Sequence, residues 1–329
     1  MVATAGLFDL QVNGFAGIDF NDAGASTSGA GLTADALDHA LEAMLATGVT
    51  QCLPTLITAT EAELHARFAA LDAAVAGSRL GPAMVPGYHL EGPFLNPAPG
   101  FRGCHPVAAM LPPDLAMLQR LMANRHRPIR LLTLAAEQPG AIAMIAFAAA
   151  QGIVVAIGHS DAGAAVVEAA ATAGARMSTH LGNGLPPVLP KLDNPIMAQL
   201  GEDRLAAGFI ADGIHVPVPA LRAMIRAKGP RAILVTDAVA AAGARPGRYA
   251  FGAMAIIGHA DGSVRTPEGA LAGSALTLDR AVRNVVAWGI ADAATAIAMA
   301  GEAPRQLLGL PAQGHVVWND DLTVRSAAP

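Results

Sequence analysis

A chain of 329 residues that is 53% hydrophobic and only 14% charged can bury a large core, which argues against intrinsic disorder. Its net charge of −5, with no basic cluster, argues against nucleic acid and anionic membrane as partners. Two cysteines, Cys52 and Cys104, make no disulfide framework and fit a reducing cytoplasm, and MVATAGLFDLQVNG lacks the layout of a signal peptide.

The first apolar run, Leu7–Val12, reads as a buried strand, and a period of two puts Gln11 and Asn13 on one face. A helix over Ala34–Ala46 follows with Thr33 as its cap, then a strand over Val49–Ile57 and a helix over Glu61–Ala76 capped by Thr60. Met84–Leu90 reads as the third strand. It ends in Glu91-Gly92-Pro93, where proline cannot continue a ladder, and a long Gly/Pro-rich loop leads to Gly-Cys-His-Pro at 103–106. Next come a helix over Pro113–Ala123, a strand over Ile129–Ala135 and a helix over Ala141–Ala150. The window Gly140–Gly158 is long and apolar enough to be checked as a membrane span, but Gln151-Gly152 splits it into a helix and a strand, Ile153–Ile157. A helix over Ala162–Ala173, with Ser160 or Asp161 as cap, then leads to the strand Arg176–Thr179. The link GNGLPPVLPKLDNP has room for a short helix from Pro195. The strand Ala207–Ala211, a helix from Pro217 to Ala227 and the strand Ala232–Thr236 complete the alternation.

Eight buried strands, each feeding a helix or long loop, imply a parallel sheet with right-handed crossovers. A TIM-like (β/α)8 barrel is the preferred α/β architecture, with a doubly wound open sheet as the alternative, because polar residues fall at the carboxyl ends of nearly all the strands. Residues 1–310 are assigned to this barrel, with a hairpin-like excursion near 244–270 and helices over Ser274–Trp288 and Asp292–Ala300. Residues 311–329 contain two strand-like pieces with no evident partner.

The rim residues carry the chemistry. Glu91, His159 and His180 each close a buried strand, and carboxylates are rarely buried unless paired or bound to metal. Three nitrogen and oxygen ligands with an open position match a catalytic divalent-metal site, zinc foremost, with iron, manganese or cobalt sharing the donor set. Asp237, closing AILVTD, reads either as a helix cap or turn former or, beside a metal, as the group that takes a proton from water and passes it to a leaving group. His105, between Gly103 and Pro106, reads either as an exposed loop histidine or, in a held conformation, as the group that polarises a substrate carbonyl. Cys104 has no evident base and reads as a small loop residue. Gln11 and Asn13 stand where two-metal hydrolases carry His-X-His, so a single metal is expected. His215 follows the seventh strand as a supporting or substrate-contacting group, and His39, His65 and His126 read as solvent-facing.

The ordered pieces DLQVNGFAGIDFND, HLEGPFLN with GCHP, GHSDA, THLGNG, IADGIHV, LVTDA and LAGSALTL resemble the N-acetylglucosamine-6-phosphate deacetylase family of the amidohydrolase superfamily. The resemblance implies Glu91, His159 and His180 as metal ligands, Asp237 as catalytic acid/base and His105 at the carbonyl. It also implies Cys104, Asn183, Gly184, Asp212, His215, Leu271, Ala272 and Gly273 around an amino-sugar substrate, and a homodimer in which His215 reaches the neighbouring site. The chain departs from the family at Gly182-Asn183-Gly184-Leu185, and Lys191 stands where the family places a phosphate-binding arginine. The family's small β domain is expected to be truncated or absent, with 311–329 as its remnant.

The expected reaction is metal-dependent hydrolysis of the acetamide of N-acetylglucosamine 6-phosphate. An unphosphorylated or different N-acyl substrate, a non-catalytic sugar-binding barrel, and cyclic-amide hydrolysis are the alternatives.

Overall fold

Runs of Leu, Ile, Val and Ala that are buried on both faces can only sit at the hub of an α/β protein. The computed structural model, which describes residues 2–24 and 31–329, places eight of them there. They are Leu7–Val12, Val49–Ile57, Tyr88–Glu91, Ile129–Leu134, Val154–Ile157, Ala175–Ser178, Ala206–Ile210 and Ala232–Val235. All pair in parallel and in chain order. The first and eighth strands close the ring at their carboxyl ends, where Asp237 N donates to Gln11 O at 2.9 Å and Asn13 N donates to Ala238 O at 2.7 Å. One step lower the seam is made by a side chain. Asp9 accepts from the Thr236 hydroxyl at 2.5 Å and from Thr236 N at 3.3 Å. The carboxyl is 1% exposed, and burial raises its pKa to about 7. The result is a (β/α)8 barrel.

Four elements have the bounds expected from the sequence: Leu7–Val12, Val49–Ile57, Ala34–Ala46 and Ala141–Ala150. Thr33 caps its helix, and Thr60 forms a reciprocal capping box with Glu63. Others shift for local reasons. The third strand starts at Tyr88 rather than Met84, because Gly81–Met84 makes one helical turn first. The helix expected from Pro113 starts at Leu115, with Asp114 as its cap. Ser160 and Asp161 do not cap the helix after the fifth strand. It begins at Ala164 behind Gly163, and both residues turn toward Glu137 instead. Among the described residues, no helix is long and apolar enough to cross a membrane.

The tail does have a partner. His315–Trp318 pairs antiparallel with Val324–Ala328 on one side and with Val2–Ala5 on the other, so residues 2–5 join the tail in a three-stranded sheet rather than the barrel. The excursion is a three-stranded meander, Gly247–Phe251, Met254–Gly258 and Val264–Arg265, with a small apolar cluster of its own around Ile57, Phe251 and Ile256. A helix not anticipated from the sequence, Glu302–Leu308, carries Arg305 under the barrel.

Candidate active site

Glu91 is the last residue of the third strand, while His159, His180 and Asp237 each follow the end of theirs by two residues. Those three residues have left-handed backbones, with φ of 52°, 26° and 51°. Non-glycine residues rarely adopt this conformation, and holding one there costs about 1–3 kcal/mol. The surroundings hold them. His159 O accepts from Asn96 N, His180 O accepts from Asn183 N, and Asp237 O accepts from Ser274 N at 2.9 Å.

The side chains converge. His180 Nε2 lies 3.0 Å from Glu91 Oε1, His159 Nε2 lies 3.5 Å from the same oxygen, and the two Nε2 atoms are 3.2 Å apart. His159 Nδ1 donates to Phe101 O at 2.6 Å, which turns its Nε2 lone pair inward. Gly103 and Gly184 sit against the His159 ring, and a Cβ at Gly184 would come within 2.5 Å of Nδ1. Burial pushes the Glu91 carboxyl upward, but the adjoining His159 and His180 imidazoles hold it well below the usual carboxylate range. Burial opposes charge on His180, and Glu91 raises its pKa nonetheless.

This triangle fits a divalent ion. Tetrahedral ligands with bonds of 2.0–2.1 Å stand about 3.3 Å apart, and the three observed edges bracket that value. Two imidazoles and a carboxylate are also a familiar donor set for such ions. Around the triangle, Gln11 Oε1, Asn13 Oδ1 and His180 Nδ1 are buried without a hydrogen-bond partner among the described residues. His105 brings a ring nitrogen within 4.8 Å of donor atoms of Glu91 and His159. Its Nδ1 is held by the Thr58 hydroxyl at 2.9 Å, which leaves Nε2 for a ligand or substrate. Burial, then the charge of His159, lowers the His105 pKa to about 3, so the ring is neutral.

Asp237 stands beside these groups. Its Oδ1 accepts from Asn13 Nδ2 at 2.8 Å and from Gln11 Nε2 at 3.2 Å, and Gln11 Nε2 also reaches Glu91 Oε1 at 3.1 Å. Burial and the charge of Glu91 raise the Asp237 pKa to about 6, in the range useful for moving protons near neutrality. The groups open into a cavity of about 250 Å³ that is also lined by Cys104, Asn183, Gly184, His215, Leu271 and Gly273. Asp212 sits behind His215, accepting from its Nδ1 at 2.6 Å. A larger cleft of about 550 Å³ lies against Val2–Ala5 and Trp318, but it is mostly apolar and brings no histidines together.

Three expected residues fall outside the cavity: Asp212, which touches His215 from behind, Lys191 and Ala272. Lys191 is exposed in the link after the sixth strand and does not line it. Ala272 is buried in the excursion's apolar cluster. His89, whose role the sequence leaves open, is a neutral core imidazole between the Thr55 and Thr133 hydroxyls, with its pKa lowered by burial to about 4. Sequence reasoning missed Glu137. Its carboxylate accepts from Asn96 Nδ2, the Ser160 hydroxyl and Asp161 N, tying together the loops after the third, fourth and fifth strands beside His159. Its place just past the fourth strand is the signal that could have found it. Thr58, Ile57 and Phe251 were also missed, and the last two look like ordinary core residues in sequence.

No family model matches the chain. It is 35% identical over 303 residues to the N-acetylgalactosamine-6-phosphate deacetylase of Escherichia coli O157:H7, covering 92% of this chain and 77% of that protein. It is 33% identical over 346 residues to the N-acetylglucosamine-6-phosphate deacetylase of Bos taurus, covering 99% and 81%. The crystal structure of N-acetyl-D-glucosamine-6-phosphate deacetylase from Mycobacterium smegmatis superposes with a TM-score of 0.88 at 29% identity, covering 99% of this chain and 86% of that one. With the fold, the convergent rim residues and these relatives in agreement, the chain belongs to the N-acetylglucosamine-6-phosphate deacetylase family.

Proposed function

We propose that this chain hydrolyses the acetamide of N-acetylglucosamine 6-phosphate to acetate and the free amine. The observation that carries the reading is the Glu91–His159–His180 triangle with Asp237 beside it. Those three residues would hold one divalent ion, zinc being the best match to two imidazoles and a carboxylate, with iron, manganese and cobalt sharing the donor type. When bound, such an ion supplies Lewis acidity, acidifying water and neutralising developing negative charge.

The chain's own groups do the rest. Asp237, steadied at Oδ1 by Asn13 and Gln11, accepts the proton of the attacking water and returns it to the amine nitrogen as the C–N bond breaks. The neutral His105, held at Nδ1 by Thr58, donates from Nε2 to the carbonyl oxygen as charge builds there. Asn183, Gly184 and His215 contact the sugar, with Asp212 orienting His215. The protein acts as a homodimer in a reducing cytoplasm, in keeping with the unpaired Cys52 and Cys104. Residues 2–5 and the tail form a sheet separate from the barrel's, packed on the same hydrophobic core.

A second reading, an unphosphorylated N-acyl sugar, is favoured by one feature: among the described residues, no lysine or arginine lines the cavity. Acetate release from N-acetylglucosamine 6-phosphate, by metal-loaded and chelator-stripped protein, tests the function. Metal-dependent release is expected, and none from loaded protein would sink it. Equal kcat/KM for the unphosphorylated sugar would favour the second reading.

A further inference from the structure

The catalytic cavity has two unlike sides. Asn183, Gly184 and His215 offer polar atoms and backbone, which suit a sugar. Ile57, Cys104 and Phe251 offer an apolar wall, which suits the methyl end of an acyl group. Behind that wall lies a second cavity of about 240 Å³, and the two cavities share Ile57 and Phe251 among their linings. Both residues are nearly fully buried, 2% and 3% exposed, so they form the partition. Thr58 lines the second cavity while its hydroxyl holds His105 in the first. The partition therefore stands next to the imidazole assigned to the acyl carbonyl.

The second cavity suits hydrocarbon. Ala59, Pro106, Ala109 and Met254 contribute apolar wall. Its two charged lining residues are already engaged: Glu63 closes the capping box with Thr60, and Arg67 donates to Ile57 O at 3.1 Å and to Asn21 Oδ1 at 3.2 Å. Phe251 ends the strand Gly247–Phe251 and pairs with Met254 across the turn, so its ring is positioned by the excursion rather than by the barrel.

We infer that Phe251, backed by Ile57, sets the length of the acyl group removed, and that the second cavity is a latent pocket for longer N-acyl chains. The inference rests on the amide-hydrolase reading above. One misplaced methylene in an apolar pocket changes kcat/KM by about 10–200-fold. The test compares N-acetyl-, N-propionyl- and N-butyrylglucosamine 6-phosphate as substrates of the metal-loaded parent, Phe251→Ala, Phe251→Leu and the double variant Phe251→Ala/Ala109→Leu. The parent is expected to favour acetyl. Either single variant raises the butyryl-to-acetyl ratio of kcat/KM by about tenfold or more, and Ala109→Leu, by filling the second cavity, brings it back down. Phe251→Leu keeps an apolar plug in the excursion's cluster and covers the case in which the alanine variant does not fold. A parent that releases acetate, with folded variants that keep its ratio, overturns the inference. A loaded parent that releases no acetate removes the amide-hydrolase reading first, and the inference with it.

Discussion

Two buried polar clusters sit at opposite ends of the barrel. At the amino end, Arg305 is 3% exposed and uses all five of its N–H groups. Nε donates to Gln51 Oε1, the Nη atoms donate to Gly6 O, Gly301 O, Gln313 O and the Thr50 hydroxyl, and no acceptor is a carboxylate. At the carboxyl end, Glu91, His159, His180 and Asp237 crowd together, and Gln11 Oε1, Asn13 Oδ1 and His180 Nδ1 have no hydrogen-bond partner among the described residues. Buried polar atoms without partners are costly. One cluster pairs a single cation with carbonyl, amide and hydroxyl oxygens of the chain, and the other crowds two carboxylates and two imidazoles together.

Breaking each cluster should have opposite consequences. The largest effect is expected from Asp237→Asn, which keeps the shape and removes the proposed proton acceptor: kcat should fall about 10²–10⁴-fold, with metal content and melting temperature nearly unchanged. Arg305→Met should do the reverse. It removes five buried N–H donors and should cost roughly 3–5 kcal/mol of stability, read by denaturant unfolding, while turnover per folded molecule stays at the parent value. Glu137→Gln tests the support around His159, and since Glu137 bonds the flanking loops rather than a ligand imidazole, a loss of metal affinity of about tenfold, the low end for removing a direct partner, is expected. A competition titration with a chelating dye would read it. The smallest effect is expected at the seam. The Asp9 pKa is raised by burial from 3.8 to about 7, so its contribution to stability is complete below about pH 4 and is lost as pH rises toward 7. Asp9→Asn carries no such titration. Its melting temperature relative to the parent should therefore rise steadily between pH 4 and pH 7, and a constant difference would refute the assignment.

The barrel was legible because its strands are short, apolar and set off by glycine, and because the residues ending them are polar. Glu91, His159, His180 and Asp237 could be picked from that position alone. What lies off the strand ends was harder to read. The partner of His159 Nδ1 is the carbonyl of Phe101, and a carbonyl has no sequence signature. Ser160 looks like a helix cap but bonds to Glu137, because a carboxylate 23 residues away in sequence arrives beside it in space. Lys191 could be counted into a phosphate site along the chain, yet the proline-rich link carries it away from the cavity. Val2–Ala5 was not recognised as a strand, since the residues that pair with it come more than 300 positions later. Left-handed backbone at two histidines and an aspartate runs against residue preference, and only the packed rim makes it tenable.

The seam between the first and eighth strands also bears on the order of assembly. Asp9 and Thr236 are 227 residues apart, and the same joint fixes Asp237 through the Gln11 carbonyl. Contacts that close so long a loop carry a high entropic cost and tend to be made late. A half-assembled barrel can hold most of its strands and helices while Asp237 has no fixed address. On the proposed mechanism, turnover then gauges whether the ring has closed.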